Sequence, residues 1–177
     1  MGWLFAVALG LQERRIAAVL RAIVPIALGH VISVTIVVLI AVAASVEFPH
    51  AIVQRVSAGV LLSFAVYRLV RARHPRWVGM RVGFWGLLFW GFLMSTAHGA
   101  GLMLVPFVTA ARSPMSGAPA GWLMIGVHTF GYLLSLSLVA LVVYAKVGVS
   151  FLRTAWFNVD AAWAAALLVT GIVALFT

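Results

Sequence analysis

The sequence predicts an all-α integral membrane protein with five full spans and a partial N-terminal one. Three observations lead to this fold class: 65% of the 177 residues are hydrophobic, only 8% are charged, and the apolar residues form long runs separated by short polar stretches. In an ordinary soluble domain about a quarter of the residues are charged. The composition therefore excludes a soluble globular protein, a disordered chain and a fibrous repeat.

The first apolar run, residues 1–11, is followed at once by Gln12-Glu13-Arg14-Arg15. At about 1.5 Å per residue this run is too short to span a bilayer. We interpret it as a half-helix, or as the end of a longer natural helix, in which case Met1 is not the native start. We expect Glu13 to be solvated or paired with a nearby basic residue.

Five longer runs follow, and each is long enough for a spanning helix. They cover residues 16–45, 51–70, 82–110, 122–144 and 155–176. The runs are long and unbroken, which favours helices over short buried strands. The fourth run is long for one span and contains His98-Gly99-Ala100-Gly101 at its middle, with Pro106 beyond. Glycine and proline at membrane depth predict a kinked or broken helix.

Basic residues indicate the orientation. Ten of the twelve lysines and arginines fall at alternate loops, and only Arg55 and Arg112 fall on the opposite side. Basic loops remain in the cytoplasm, so we predict a multi-pass protein of the inner (plasma) membrane with its C-terminus outside. The net charge of +9 is explained by this topology and does not indicate nucleic-acid binding. The expected partner is the lipid bilayer.

The two halves of the chain have the same order of segments. Gly2 to His30 is 28 residues and Gly101 to His128 is 27, and both stretches run from an apolar half-helix through a polar loop into a helix with one histidine. A three-span unit inverts when it is duplicated in tandem. Inverted repeats are a common plan of secondary transporters, which bind substrate near the midplane.

We therefore expect two inverted three-helix repeats, residues 1–76, which are N-terminally incomplete, and residues 77–177. The chain resembles the LysE-type transporter superfamily, which includes nickel/cobalt exporters and amino-acid exporters. The shared features are two such units, a basic cytoplasmic loop and a His-Gly pair in a first helix, here within Ala97-His98-Gly99-Ala100-Gly101. In architecture the resemblance covers the whole chain, and in motif it rests on His98-Gly99. It implies export or exchange of a small solute or ion.

The candidate substrate-binding residues are ionisable side chains inside the predicted spans and glycines at the predicted break. They are His98, Gly99, Gly101, His128, His30 and Asp160. An ionisable side chain in a span is costly and usually faces the bundle interior or a water-filled cavity. Asp160 could bind a cation or carry a coupling proton, or it could begin its helix at the interface.

The three histidines leave several roles open. His98, His128 and His30 could form an imidazole cluster that binds a transition metal, or they could relay protons. They could equally be structural side chains that are hydrogen-bonded in the core. Gly91, Ser95 and Gly99 are four residues apart, which favours a helix-packing face over a binding surface.

Catalytic patterns are missing from the sequence, so we expect no enzyme activity. The chain has no cysteine, which excludes thiolate chemistry and disulfides, and it has no phosphate-binding loop or paired carboxylates. The leading hypothesis is a transporter or exporter of a small solute or a metal cation, the metal being substrate and not cofactor. The alternatives are a non-catalytic subunit of a larger complex and an intramembrane enzyme or lipid-handling protein that uses His98. Stripes of small residues are compatible with a homo-oligomer.

Overall fold

The computed structural model describes residues 2–70, 83–110, 117–147 and 159–176. Every element within these ranges is helical, and none is a strand, as the long apolar runs predict. The helices are α1 (Gly2–Glu13), α2 (Ile16–Glu47), α3 (His50–Val70), α4 (Phe84–Ala97), α5 (Val105–Ala110), α6 (Gly117–Val142) and α7 (Val159–Phe176). A 3-10 turn, Leu102–Leu104, precedes α5, and a π-helical turn, Val143–Val147, continues α6.

The helices lie close to the predicted runs, although α6 begins at Gly117, five residues before the predicted start, and residues 155–158 of the last run lie outside the described residues. The predicted break in the fourth run is confirmed. Helix α4 ends at Ala97, and the helical segment that follows at Leu102–Val108 is bent by 46° relative to it. Glu13 is exposed and forms an ion pair of 2.9 Å with Arg21, which confirms the expected role for this acid.

Two helical segments are long and apolar enough to cross a membrane, namely Ile16–Glu47 and Gly121–Lys146. A third is added if Phe84–Ala97 and Leu102–Val108 count as one bent span. Ala51–Tyr67 and Ala164–Phe176 are shorter apolar helices. The part of the chain that is described therefore contains two or three candidate spans, and the five full spans and the inverted repeat remain predictions.

The contacts within the chain define two compact units, each built from three separate stretches. Unit 1 comprises Met1–Ile32, Pro75–Met94 and His128–Phe157, and unit 2 comprises Ser33–His74, Ser95–Val127 and Asn158–Thr177. The predicted division between residues 76 and 77 follows a repeat and not a contact unit. It lies outside the described residues.

In unit 1, helices α2 and α4 approach each other so closely that their backbones touch at glycines. A Cβ atom on Gly29 would overlap the backbone of Leu88 and Phe92. A Cβ atom on Gly91 would lie 2.5 Å from the carbonyl oxygen of Ile26. Small residues permit such close packing between membrane helices, so the interpretation of Gly91 as part of a packing face is confirmed.

In unit 2, helix α3 packs along α7 through buried side chains that include Leu61, Ala65 and Leu167. The side-chain amide of Gln54 also donates a hydrogen bond of 3.0 Å to the carbonyl oxygen of Ala174. These two helices are the third helices of the two predicted repeats. Their contact brings α7 beside the break that follows α4.

Candidate functional site

The break after α4 is a left-handed turn that ends one helix and starts the next. Gly99 has a φ of +67°, a conformation that glycine adopts without steric cost. The Gly99 amide donates to the Thr96 carbonyl at 3.0 Å, and the Ala100 amide donates to the Ser95 carbonyl at 3.1 Å. This pair of bonds is the Schellman motif, which satisfies the last carbonyls of a helix. His98 is the last residue before the left-handed glycine.

The break lies inside the protein. His98 is 9% exposed, and a Cβ atom on Gly99 would lie 3.2 Å from Leu167 and 3.5 Å from Phe64. A Cβ atom on Gly101 would lie 2.6 Å from the Cβ of Val37. Gly99 and Gly101 thus allow α3, α7 and α2 to close around the turn and the imidazole beside it.

A hydroxyl pair lies one turn before the break. Ser33 on α2 is 1% exposed, and its Oγ is 2.9 Å from Oγ1 of Thr96 on α4. Hydrogen bonds of this kind join helices in an apolar setting. Sequence reasoning missed this pair, because nothing in two apolar runs shows which serine meets which threonine.

In unit 1, the structure brings His30 and His128 together from positions 98 residues apart. Their ring centroids are 5.4 Å apart and their planes differ by 19°. The ring of Tyr132 lies 3.7 Å from that of His30, with planes that differ by 6°. We refer to His30, His128 and Tyr132 as the imidazole–phenol stack.

Several polar side-chain atoms of unit 1 are buried, including a ring nitrogen that belongs to the stack. Among the described residues, neither Nε2 of His128 nor Oγ1 of Thr129 has a hydrogen-bond partner, and neither does Nε1 of Trp90 in the same unit. Leaving such a group unsatisfied is unfavourable in a dry interior. Nε2 of His128 can therefore bind a proton or a hydrogen-bonding ligand, whereas the indole N–H of Trp90 and the hydroxyl of Thr129 can bond to a water molecule or a polar ligand.

The predicted site residues fall into two places. His98, Gly99 and Gly101 belong to unit 2, whereas His30 and His128 belong to unit 1. Asp160 lies near the start of α7, and its side chain lies outside the described residues. Within the described ranges no three His, Cys, Asp or Glu side chains form a group that could hold a metal ion. The metal set of His98, His128 and His30 stays a prediction.

Tyr132 is the functional candidate that sequence reasoning missed. It follows His128 by four residues, so both side chains lie on one face of α6. That spacing is the signal that could have identified it. No family model, no curated protein and no solved structure matches this chain.

Proposed function

We propose that this chain is a multi-pass membrane carrier that exports a small solute or a metal cation. Its substrate site lies at the break of the fourth span, formed by His98, Gly99 and Gly101. The observation that carries the proposal is the left-handed turn at Gly99, buried in an otherwise apolar chain and flanked by a buried histidine.

The physical chemistry of the bilayer supports this choice. Irregular backbone at membrane depth is tolerated only where it is buried in protein or lines a water-filled cavity. Broken spans in carriers use their helix ends to bind the substrate. The C-terminal end of α4 carries a partial negative charge from its carbonyl groups, and the imidazole of His98 adds a nitrogen ligand. This combination favours a cation, either a metal ion or the ammonium group of an organic solute.

The proposal includes the finer topology that the sequence predicts. It takes the chain as five full spans and a partial one in two inverted repeats, with its basic loops in the cytoplasm. Packing of α3 on α7, the third helices of the two repeats, supports this arrangement.

The second candidate function is a non-catalytic membrane subunit, and one observation favours it. Gly59 on α3 is exposed, and among the described residues no atom beyond its own helix backbone lies within 4 Å of the Cβ position there. Ser63, one turn further, is also exposed. Small residues on an uncovered face suit the close approach of another helix, from a partner or from a second copy of the chain.

Cysteine labelling distinguishes the two functions, because the chain has no cysteine of its own. Ser95→Cys places a thiol at the break, and Ser57→Cys is the matched control. Both serines are buried, at 6% and 5% exposure, and Ser57 lies on α3, seven residues before Phe64, the residue of that helix that contacts the turn. We expect a membrane-impermeant thiol reagent to label the Ser95→Cys protein in lipid vesicles and to leave the Ser57→Cys protein unlabelled.

Equal protection of both thiols would show that the break is permanently packed, which is the behaviour of a subunit. Efflux of radioactive Ni²⁺ and of radioactive lysine from loaded vesicles then tests the substrate class. We expect one probe to leave wild-type vesicles faster than protein-free vesicles. In His98→Gln vesicles we expect that rate to fall by about tenfold or more, because even a residue that only supports a metal ligand typically contributes that much.

A further inference from the structure

We propose that the imidazole–phenol stack of His30, His128 and Tyr132 is a proton-binding site that holds a single shared proton. The inference deepens the proposed carrier function and rests on it, because a carrier that moves a cation against its gradient needs a coupling ion. The stack lies within one compact unit, and all three residues are on the two helices with the clearest spanning character, α2 and α6.

The spacing of the two imidazoles limits the site to one proton. Their centroids are 5.4 Å apart, and two positive charges at that distance repel strongly in a protein interior. With an effective dielectric constant of about 20, the second proton binds about a hundredfold more weakly than the first. Such a pair titrates as a unit in two well-separated steps.

The ring of Tyr132 stabilises the protonated form of His30. Its ring is nearly parallel to that of His30 at 3.7 Å, so an imidazolium at His30 would lie over the electron-rich face of the phenol. Cation–π attraction of this kind is strongest where water is excluded, and His30 is 3% exposed. The stack can therefore hold a charge in a place where a bare imidazolium would be costly.

No carboxylate competes for this role in the described part of unit 1. Glu13, at the end of α1, is exposed and paired with Arg21 at 2.9 Å. Arg21 precedes His30 by nine residues, or about 14 Å along α2. Helix α4 has no charged residue, and on the α6 side the first charge is Lys146, 18 residues beyond His128. Among the described residues of unit 1, Tyr132 is thus the further titratable group shown against the imidazole pair, through its contact with His30.

An unsatisfied nitrogen gives the proton a place to bind. Nε2 of His128 and Oγ1 of Thr129 are buried, adjacent in sequence, and have no hydrogen-bond partner among the described residues. A structural histidine in a span is expected to use both ring nitrogens in hydrogen bonds. An open nitrogen at His128 is what a site that gains and loses a proton requires.

The test measures how many protons the protein takes up. Purified protein in detergent is titrated between about pH 8 and about pH 4.5, the range in which histidine changes charge. We compare wild type with His128→Gln, His30→Gln and the double variant. A shared proton predicts that each single variant binds as many protons as wild type, because the remaining imidazole takes up the proton. The double variant should bind about one fewer.

Every other pattern overturns the proposal. Loss of about one proton in each single variant and two in the double variant would show independent histidines. Loss in only one of the single variants would assign the proton to that residue alone. No loss in the double variant would show that the stack stays neutral. Gel filtration and circular dichroism confirm that each variant is folded.

Substitutions at Tyr132 separate the ring from its hydroxyl group. Tyr132→Phe keeps the π face, and we expect it to retain the wild-type proton count and midpoint within about 0.3 pH units, since the cation–π effect belongs to the ring. Tyr132→Leu removes the face and should weaken proton binding about tenfold. Equal behaviour of the two variants would overturn the role given to Tyr132. None of these measurements needs a substrate, so their failure is distinguishable from failure of the carrier proposal.

Discussion

Two helices of this chain end on the same backbone turn, but one turn is made by glycine and the other by arginine. At the end of α4, Gly99 has a φ of +67°, and the next amide donates to a carbonyl five residues back at 3.1 Å. At the end of α1, Arg14 has a φ of +52°, and the Arg15 amide donates to the Gly10 carbonyl at 3.2 Å.

The surroundings of the two turns explain the difference in residue type. Arg14 is exposed, so its side chain has room and water solvates the turn. The remaining cost is the left-handed backbone, about 1–2 kcal/mol for a residue with a Cβ atom. Gly99 is buried between Phe64 and Leu167, so a side chain there would add crowding to that backbone cost. The left-handed position therefore requires glycine in a buried turn, whereas an exposed turn tolerates other residues at a modest cost.

Among substitutions at the two turns, the largest loss of stability should come from Gly101→Ala, two residues beyond the buried left-handed glycine. The new Cβ would lie 2.6 Å from the Cβ of Val37, which is attached directly to the α2 backbone and cannot swing aside. We expect a loss of about 2–3 kcal/mol and a midpoint of thermal unfolding lower by about 5–10 °C, measured by tryptophan fluorescence in detergent.

Gly126→Ala is the control for that variant, because no other helix in the described part of the chain has an atom within 4 Å of the Cβ position at Gly126. In a helix this change should be neutral or stabilising by up to about 1 kcal/mol. An unchanged midpoint for Gly101→Ala would mean that α2 does not pack against the turn as described.

Alanine at the left-handed position of each turn compares the two ends directly. Gly99→Ala should lose about 1–2 kcal/mol, because alanine bears the backbone cost that glycine avoids and its Cβ adds only slight crowding against the flexible end of Leu167, at 3.2 Å. Arg14→Ala should change stability by less than about 0.5 kcal/mol, because arginine already bears the same cost. Thermal unfolding of the two variants under one set of conditions gives the comparison. A loss in Arg14→Ala as large as that in Gly99→Ala would contradict the assignment of equal backbone geometry.

The contrast also shows what the sequence can and cannot predict. The extent of each helix follows from the apolar runs, and the break follows from His98-Gly99-Ala100-Gly101, because glycine is a local signal. Glu13 was expected to be solvated or paired with a nearby basic residue, and its partner is Arg21, eight residues along the chain. These features depend on a few residues close in sequence, so their physical causes are visible in the sequence itself.

The contacts between helices could not be predicted. In a helix that is apolar on all sides, no hydrophobic stripe shows which face meets a neighbour. The approach of Gly29 to α4, the hydroxyl pair of Ser33 and Thr96, and the stacking of Tyr132 on His30 all depend on rotations that the sequence leaves open. The pairing of His30 with His128 was considered only because a repeat suggested it.

The smallest predicted effect is an increase in stability. Arg14→Gly removes the strain of the exposed left-handed turn and leaves the helix-ending hydrogen bond in place. Glycine also makes the unfolded chain more flexible, so we expect a net stabilisation of about 0.5–1 kcal/mol, seen as a rise of about 1–4 °C in the unfolding midpoint. Arg15→Gly is the matched control, because it removes the same charge at a neighbouring exposed residue whose φ is not positive. The control should lose stability, since it gains flexibility without relief of strain. If the unfolding midpoints of both variants shift in the same direction, charge and not backbone geometry determines the stability of the α1 turn. The two helix ends would then share their geometry but not their energetics.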